Sequence, residues 1–400
     1  MSGFVALGSV KTAKFRPDTF VYGQKHCAEN NTAGILFSFA KTAKEHKSPY
    51  PREIIKIFSR GYWTQMLYIM NQDLFDKLCD FKNLHNAYFD TKRGKRFRKD
   101  VLEFEIDFER NIVQIHKKLI QNTYRHGGYK SFVAIDSKKR IIEVAPFRDR
   151  LMHHAICNII DPIFEKTFIY DSYACRKEKG VHSAIKRVKS FRQGVSLNFK
   201  SRAYFLQFDI KKYFDSVDHK ILISLIQDKI KDELLLAVIK KIIESKRGEK
   251  GLPIGNLTSQ LFANIYLNKL DHFIKEKLRA KYYIRYMDDF ILFHAKPKTL
   301  LAWQSDIKIF LEQELKLTLH QKRSGVQPID RIDFLGLTLF RHHTRLRKST
   351  VSRAFRRMKL TASTPYSSAW HGYAKHADSF RLNQKLNSLL LKRPNKTNFL

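Results

Sequence analysis

Apolar and polar positions follow no steady period over residues 1–60, where Gly, Thr and Asn mix with basic residues and Ser48-Pro49-Tyr50-Pro51 marks a turn. From about residue 61 the pattern becomes regular. Phe108, Ile112, Ile115 and Leu119 recur at helical spacing behind the basic stretch Lys92-Arg93-Gly94-Lys95-Arg96. A hairpin is predicted next, with arms over 129–135 and 141–145 and a turn over 136–140 that puts cations at its tip. The run 204–208 reads as a buried strand closed by Asp209, and a long helical region follows Asp218, its apolar face carrying Leu222, Leu225, Ile226, Leu235, Leu236, Ile239 and Ile243 as far as Gly248. A second hairpin is predicted from the apolar runs 282–287 and 290–293, which flank Asp288 and Asp289 at the tip. Leu300, Trp303, Ile307, Phe310 and Leu311 mark a helix from Thr299, with strand-like runs around Leu317 and over 334–340. The last segment is a basic helix, with Val351, Ala354, Phe355 and Met358 on one side and Arg353, Arg356, Arg357 and Lys359 mostly outward. Alternating strands and helices point to an α+β core.

Composition narrows the partner. The chain has 400 residues and is 43% hydrophobic, enough for a large core in two or three subdomains. Lys and Arg total 75 against 38 Asp and Glu, a formal charge of +37, and the pI is near 10.0. Such an excess repels itself unless a polyanion neutralises it, so nucleic acid is the expected partner, with binding that weakens steeply in salt. Cys27, Cys79, Cys157 and Cys175 lie far apart without zinc-site spacing, which predicts reduced thiols in a cytoplasmic protein. No stretch is long and apolar enough to cross a membrane, and the start lacks a signal-peptide core.

The candidate chemistry is carried by acids. Asp288 and Asp289 are adjacent anions, and Asp209 ends a comparable apolar strand; close together they would need a divalent cation or a basic ligand. Magnesium prefers a few carboxylates plus phosphate oxygens and water, so the three make a ligand set for a two-metal site. Asp215 and Asp218 read instead as a helix start, where carboxylates cap exposed N–H groups. The segment 251–260, Gly-Leu-Pro-Ile-Gly-Asn-Leu-Thr-Ser-Gln, is a Gly-rich turn into a helix that lets a substrate approach the backbone. The pairs His153-His154 and His342-His343 complete no metal centre and read as packed or solvated.

The order Asp209, the 255–260 block, then Tyr286-Met287-Asp288-Asp289 resembles the reverse transcriptases, and the resemblance runs from about residue 85 to the C-terminus. It includes 172–180, Ser-Tyr-Ala-Cys-Arg-Lys-Glu-Lys-Gly, similar to a fingers block; Phe334-Leu335-Gly336, which looks like a primer grip; and the thumb-like 372–379. The resemblance implies an α+β right-hand polymerase whose antiparallel palm sheet packs on helices. Residues 1–60 stay an unassigned extension, with fingers over 61–208, palm over 209–340 and a helical thumb over 341–400. It implies that Asp209, Asp288 and Asp289 are catalytic and, with Ile210, hold two magnesium ions (Mg2+), for which manganese can substitute. Lys138, Lys139 and Arg140 would hold the triphosphate, with Arg148 and Arg150 assisting or anchoring the next helix. Phe214 would exclude a ribose 2′ hydroxyl, Ile254 and Gly255 would meet the nucleotide, and Lys322 would neutralise departing pyrophosphate. Tyr286, Met287, Ser259, Gln260, Leu335 and Gly336 would contact primer and template.

Within that family the stretch 252–260 looks most like the enzymes of diversity-generating retroelements: Ile254 stands where group II intron and many retroviral relatives carry Gln, Gln260 stands where intron enzymes carry Pro, and an alkyl group at 254 in place of a hydrogen-bonding Gln implies relaxed fidelity. The expected partners are an RNA template, a DNA or RNA primer and deoxynucleotides. No ribonuclease H, zinc-finger or HNH block is recognisable, which implies dependence on a dedicated structured noncoding RNA and a small basic accessory protein. Three rival readings stand beside this one: an antiphage reverse transcriptase acting with a noncoding RNA, a non-catalytic RNA-binding scaffold, and an RNA-dependent RNA polymerase. Intact Asp209, Asp288 and Asp289 count against the scaffold, and Phe214 with Tyr286-Met287 against the RNA polymerase.

Overall fold

The computed structural model describes residues 74–135, 139–320, 325–360 and 364–391. Residues 1–60, Lys138, Lys322 and Cys27 lie outside the described residues.

Three helices, α1 (Phe81–Lys92), α2 (Lys99–Ile106) and α3 (Phe108–Ile120), bring their apolar stripes together, and α3 buries Ile112, Ile115 and Leu119 as its spacing predicts. A two-stranded hairpin of β1 (Lys130–Ile135) and β2 (Lys139–Val144) leads to α4 (Phe147–Glu165), which packs against α1, and then to α5 (Val181–Val195). Strand β3 (Tyr204–Asp209) is followed by the short α6 (Tyr213–Ser216), α7 (His219–Gln227), α8 (Glu233–Ile243) and α9 (Leu257–His272), which runs on into a π-helical turn at Phe273–Lys277. Then come β4 (Tyr282–Tyr286), β5 (Asp289–His294), α10 (Pro297–Glu314), β6 (Gln327–Pro328), β7 (Ile332–Phe334), β8 (Leu337–Leu339) and β9 (Thr344–Leu346). Helices α11 (Lys348–Leu360), α12 (Thr364–Ala374) and α13 (Phe380–Leu391) complete the described chain. The architecture is mixed helix and sheet, and among the described residues the strands form three sheets with antiparallel pairing throughout.

The principal sheet has the order β4-β5-β3-β6 and two buried faces. Side chains alternate across it. Leu206, Phe208, Tyr283, Phe290 and Leu292 join the large core built with α9 and α10. Phe205, Ile284, Ile291 and Phe293 face a second core with Ile185, Val188 and Phe191 of α5 and Phe334, Leu337 and Leu339 of the β7-β8-β9 sheet. Burial on both faces fixes register, because a one-residue slip would turn every side chain to the wrong side.

Several elements differ from their sequence expectation for local reasons. The helical region after Asp218 is two helices, capped separately: Asp218 accepts from the backbone N–H of Lys220 and Ile221 (3.0 and 3.2 Å), and Asp232 from that of Leu235 (3.0 Å). Asp218 thus caps a helix, as its place in the sequence suggests, whereas Asp215 lies exposed within α6. The run 334–340 is broken by a two-residue turn at Leu335-Gly336, and buried Leu317 lies outside any strand. In the first hairpin Lys139 and Arg140 stand within β2, opposite Ile135 and Ala134, not in the turn.

Candidate active site

The site begins with register. Asp209, last residue of β3, lies directly opposite Asp289, first residue of β5, and Asp289 also pairs with Tyr286 of β4. Met287 and Asp288 therefore form the whole of the turn between β4 and β5, with Asp289 already in the strand. Met287 adopts φ +57°, a left-handed conformation that a side chain takes at a cost and that the surroundings must enforce. Gln207, one side-chain repeat before Asp209, donates from Nε2 to Asp289 Oδ1 at 2.8 Å. The backbone of Ile210 bridges to Leu319, and the N–H of His320 donates to Asp209 O (2.7 Å), fixing the end of β3.

Beneath the turn is a buried ion pair. The Arg285 side chain is 0% exposed, and its Nε and Nη2 donate to Asp271 Oδ1 and Oδ2 at 2.7 and 2.6 Å. Its Nη1 donates to Asn264 Oδ1 and to the carbonyl of Met287, both at 3.1 Å. Tyr283 Oη donates to Asp271 Oδ1 (2.6 Å), and Asn264 Nδ2 to Ala174 O (2.8 Å). Burial pushes the guanidinium pKa down, but the adjacent Asp271 carboxylate outweighs it and holds the pKa above the ordinary arginine range. The turn that carries Asp288 is thus tied to α9 through charge-assisted bonds in a fully buried site, where such bonds are strong. The 172–180 block joins the same structure, since Tyr173 N–H donates to Arg285 O and Arg285 N–H to Asp171 O, both at 3.0 Å.

The donor set suits a hard divalent cation: carboxylate oxygens on one end of a sheet, two of them in direct register. Among the described residues no three acidic, His or Cys side chains converge as a ready-made metal cluster. The fit therefore lies in donor chemistry and backbone placement, with Asp289 turned toward Gln207.

Comparison with known proteins decides the family. The reverse transcriptase (RNA-dependent DNA polymerase) family profile matches residues 115–339. The chain belongs to the reverse transcriptases. It is 28% identical over 264 residues to the group II intron-encoded protein LtrA of Lactococcus lactis subsp. cremoris, a match covering 63% of this chain and 40% of LtrA. Protein YkfC of Escherichia coli K12 is 26% identical over 251 residues, covering 52% of this chain and 65% of YkfC. Among solved structures, apo telomerase from Candida tropicalis, truncated from its C-terminal domain, aligns at 14% identity and TM-score 0.43, covering 58% of this chain and 59% of that one.

The other residues singled out for this reverse transcriptase fall into three groups. Gly255, at φ +126°, presses against β2: a Cβ there would stand 3.1 Å from Glu143 O and 3.2 Å from Ile142 Cγ2. Ile254 is half-buried, and its carbonyl accepts from Glu143 N–H at 2.9 Å, so the Gly-rich turn is the footing of the β1–β2 hairpin. Lys246 Nζ reinforces that footing at Glu143 Oε2 (2.5 Å), and Tyr129 Oη bonds Ser245 Oγ (2.6 Å) and Asn256 Nδ2 (3.2 Å). Phe214 is half-buried against the large core, its carbonyl accepting from Leu252 N–H (2.7 Å), while Lys139 and Arg140 are exposed.

Leu335 and Gly336 form the β7–β8 turn with φ +47° and +79°, and Tyr373 Oη donates to Leu335 O at 2.7 Å. A Cβ on Gly336 would meet that hydroxyl at 2.5 Å. Ser259 is buried in α9, and Gln260 lines a groove of about 1110 Å³ bordered by α1 and α4. A second groove of about 1060 Å³ runs from Gln207 to a wall bearing Arg331, Arg345, Arg347 and Lys348.

Arg148 and Arg150 are anchors. Arg148 Nη2 bonds Arg125 O (3.0 Å) and the buried Asp149 (3.1 Å), and Arg150 Nη2 pairs with Asp100 at 2.6 Å. His153 is buried and stacks on His126, with centroids 5.2 Å apart, in keeping with a packed histidine. Cys79 and Cys157 are buried free thiols, and burial pushes Cys79 up to about 12. Among the described residues no helix is long and apolar enough to cross a membrane. Sequence reasoning passed over Arg285, Asp271, Asn264 and Gln207. The available signal was a lone arginine within the apolar run 282–287, at a position whose neighbours Tyr283 and Met287 share its face.

Proposed function

We propose that this chain is an RNA-directed DNA polymerase that copies a structured RNA into cDNA by nucleotidyl transfer at Asp209, Asp288 and Asp289. The cross-strand register of Asp209 with Asp289, with Asp288 in the adjoining turn, carries the reading. In it, 61–208 act as fingers, 209–340 as palm and 341–400 as thumb, in the cytoplasm, with deoxynucleotides, primer and template as substrates. When bound, two divalent ions, magnesium by preference, supply Lewis-acid stabilisation of the attacking and leaving oxygens. The chain's own residues do the positioning. Asp209, Ile210, Asp288 and Asp289 hold the cations, Gln207 orients Asp289, and Arg285 fixes the turn. Lys138, Lys139 and Arg140 grip the triphosphate, Lys322 meets the leaving group, and Phe214 stacks under the sugar. The groove from Gln207 to Arg345 and Arg347 takes the hybrid duplex by its phosphates, with the Leu335-Gly336 turn against the primer.

Primer extension on an RNA template with magnesium tests this directly. Asp288→Asn should lose at least about a hundredfold in rate, a few kcal/mol of transition-state stabilisation; extension at the wild-type rate would refute the assignment.

The finer reading is a diversity-generating retroelement enzyme with relaxed fidelity, working with a dedicated noncoding RNA and a small basic accessory protein. Ile254 supports it: a branched alkyl group beside the β1–β2 hairpin offers no hydrogen bond to a base or nucleotide. Ile254→Gln should lower misincorporation opposite template adenine, read by sequencing cDNA products. Error spectra that match the wild type at every template base would remove it.

A further inference from the structure

Far from the aspartates, a cavity of about 300 Å³ opens where α5, the β8–β9 turn and the end of α12 meet. Gly194, in the last turn of α5, sits against Tyr282 Oη, and Tyr282 pairs with Phe293 at the opposite end of the sheet from Asp289. Four residue steps of β5 separate Phe293 from Asp289, roughly 14 Å at strand spacing. Lys189, Arg192, Arg341, His342, Lys375 and His376 all line this small space. Its one carboxylate, Asp378, already accepts from Thr344 N–H at 2.8 Å.

Arg192 is the distinguishing feature. It is only 2% exposed, yet its Nη1 and Nη2 reach just two backbone carbonyls, Phe340 O and Asp330 O, both at 3.1 Å. Its Nε has no partner among the described residues, nor has Nε2 of His343, which stacks on Phe340 in the same turn. Arg192 and Arg341 both lie over the Phe199 ring, at 5.4 and 5.2 Å, so one aromatic ring holds a guanidinium from α5 and one from the β8–β9 turn. His376 stacks on His182 with centroids 3.5 Å apart, and burial followed by His182, Lys375, Lys186 and Lys189 depresses its imidazole. Packing four permanent cations, Lys189, Arg192, Arg341 and Lys375, around one carboxylate is unfavourable unless a further anion sits among them. The buried Arg192 Nε–H, left without an acceptor, asks for the same thing, an oxygen-rich anion.

We infer that this cavity is a phosphate-binding site, separate from the polymerase centre. Its ligand is a phosphate group, whether of an RNA backbone passing over α5 and the β8–β9 turn or of a small phosphorylated molecule. The inference stands whether or not the polymerase reading holds.

Thermal unfolding of the full chain in rising inorganic phosphate tests it, with three proteins compared: wild type, Arg341→Gln/Lys375→Gln, and Lys298→Gln/Lys308→Gln. All four positions are exposed, and the last pair removes equal charge elsewhere. Saturable stabilisation is expected in the wild type and in Lys298→Gln/Lys308→Gln, with apparent affinity about tenfold weaker in Arg341→Gln/Lys375→Gln. Arg341→Lys/Lys375→Arg, which keeps the charge, should retain most of the response and guards against a folding defect. An equal response in the wild type and both Gln pairs, or no saturation in the wild type, overturns the proposal. Once saturation is seen, an RNA oligomer that competes with phosphate identifies the backbone as the source, and failure to compete identifies a free phosphorylated ligand.

Discussion

The β4–β5 and β1–β2 hairpins of this molecule are built in opposite ways. The β4–β5 hairpin has no exposed strand residue, its turn is strained at Met287, and the guanidinium of Arg285 ties that turn to α9. The β1–β2 hairpin is a separate two-stranded sheet, exposed along most of β1, and its base is bonded to the body through Glu143, Ile254, Tyr129 and Lys246. The first presents carboxylates and the second presents cations. Carboxylates facing one another must be held against their own repulsion, so their backbone needs fixed support. Cations on a solvated hairpin repel little and can be carried with almost no scaffold.

Breaking the support of the first hairpin should have the largest consequence. Arg285→Met leaves Asp271 buried without its counter-ion, which costs about 3–5 kcal/mol. A fall in urea midpoint and a loss of primer extension should appear together. Arg285→Met/Asp271→Leu removes both charges and should recover most of the stability. Extension should stay impaired, because the Met287 carbonyl is still unheld. Full activity in that double variant would show that the network only stabilises the fold.

The second hairpin has a titratable footing, which gives a smaller effect of known sign. His126 and Tyr129 lead into β1, and His126 stacks on His153. Burial, then His126, His154 and Arg150, lowers His153 from 6.5 to about 3. The unfolded chain therefore takes up a proton that the folded site refuses. Stability is fully present above about pH 6.5 and is lost as pH falls toward 3, by up to about 1.4 kcal/mol per pH unit. Urea melts of the wild type between pH 7 and 5 should show this slope. His153→Gln should flatten it while lowering the pH 7 value; parallel slopes in both proteins would exclude His153 as the titrating group.

How much of this was legible beforehand differs between the same two regions. The apolar runs on either side of Asp288 and Asp289 disclosed the β4–β5 hairpin, and the run before Asp209 disclosed its partner strand, because a strand buried on both faces needs a continuous apolar run. Which acid opposes which depends on register, and that is set by Asp289 entering β5 instead of staying in the turn. Arg285 was invisible in function because its partners, Asp271 and Asn264, lie on another element. For β1–β2 the two apolar arms gave the strands but left Lys139 and Arg140 in the turn, since charge alone does not distinguish a turn from an exposed strand end. The Gly-rich turn announced a close approach to the backbone, but not that β2 makes that approach at Gly255.

The smallest effect on stability should come from Arg140, and it separates the hairpins most cleanly. Arg140 is exposed in β2 and opposite Ala134, so Arg140→Ala should change the unfolding free energy by no more than about 0.5 kcal/mol. If this guanidinium grips the triphosphate with paired bonds worth about 1.5–3 kcal/mol, KM for the nucleotide should rise roughly 10- to 150-fold. Arg140→Lys keeps the charge but not the fork and should fall between. Steady-state extension against nucleotide concentration reads both. An unchanged KM with a lowered melting temperature would make Arg140 a structural residue, and the exposed hairpin would then need another explanation for its cations.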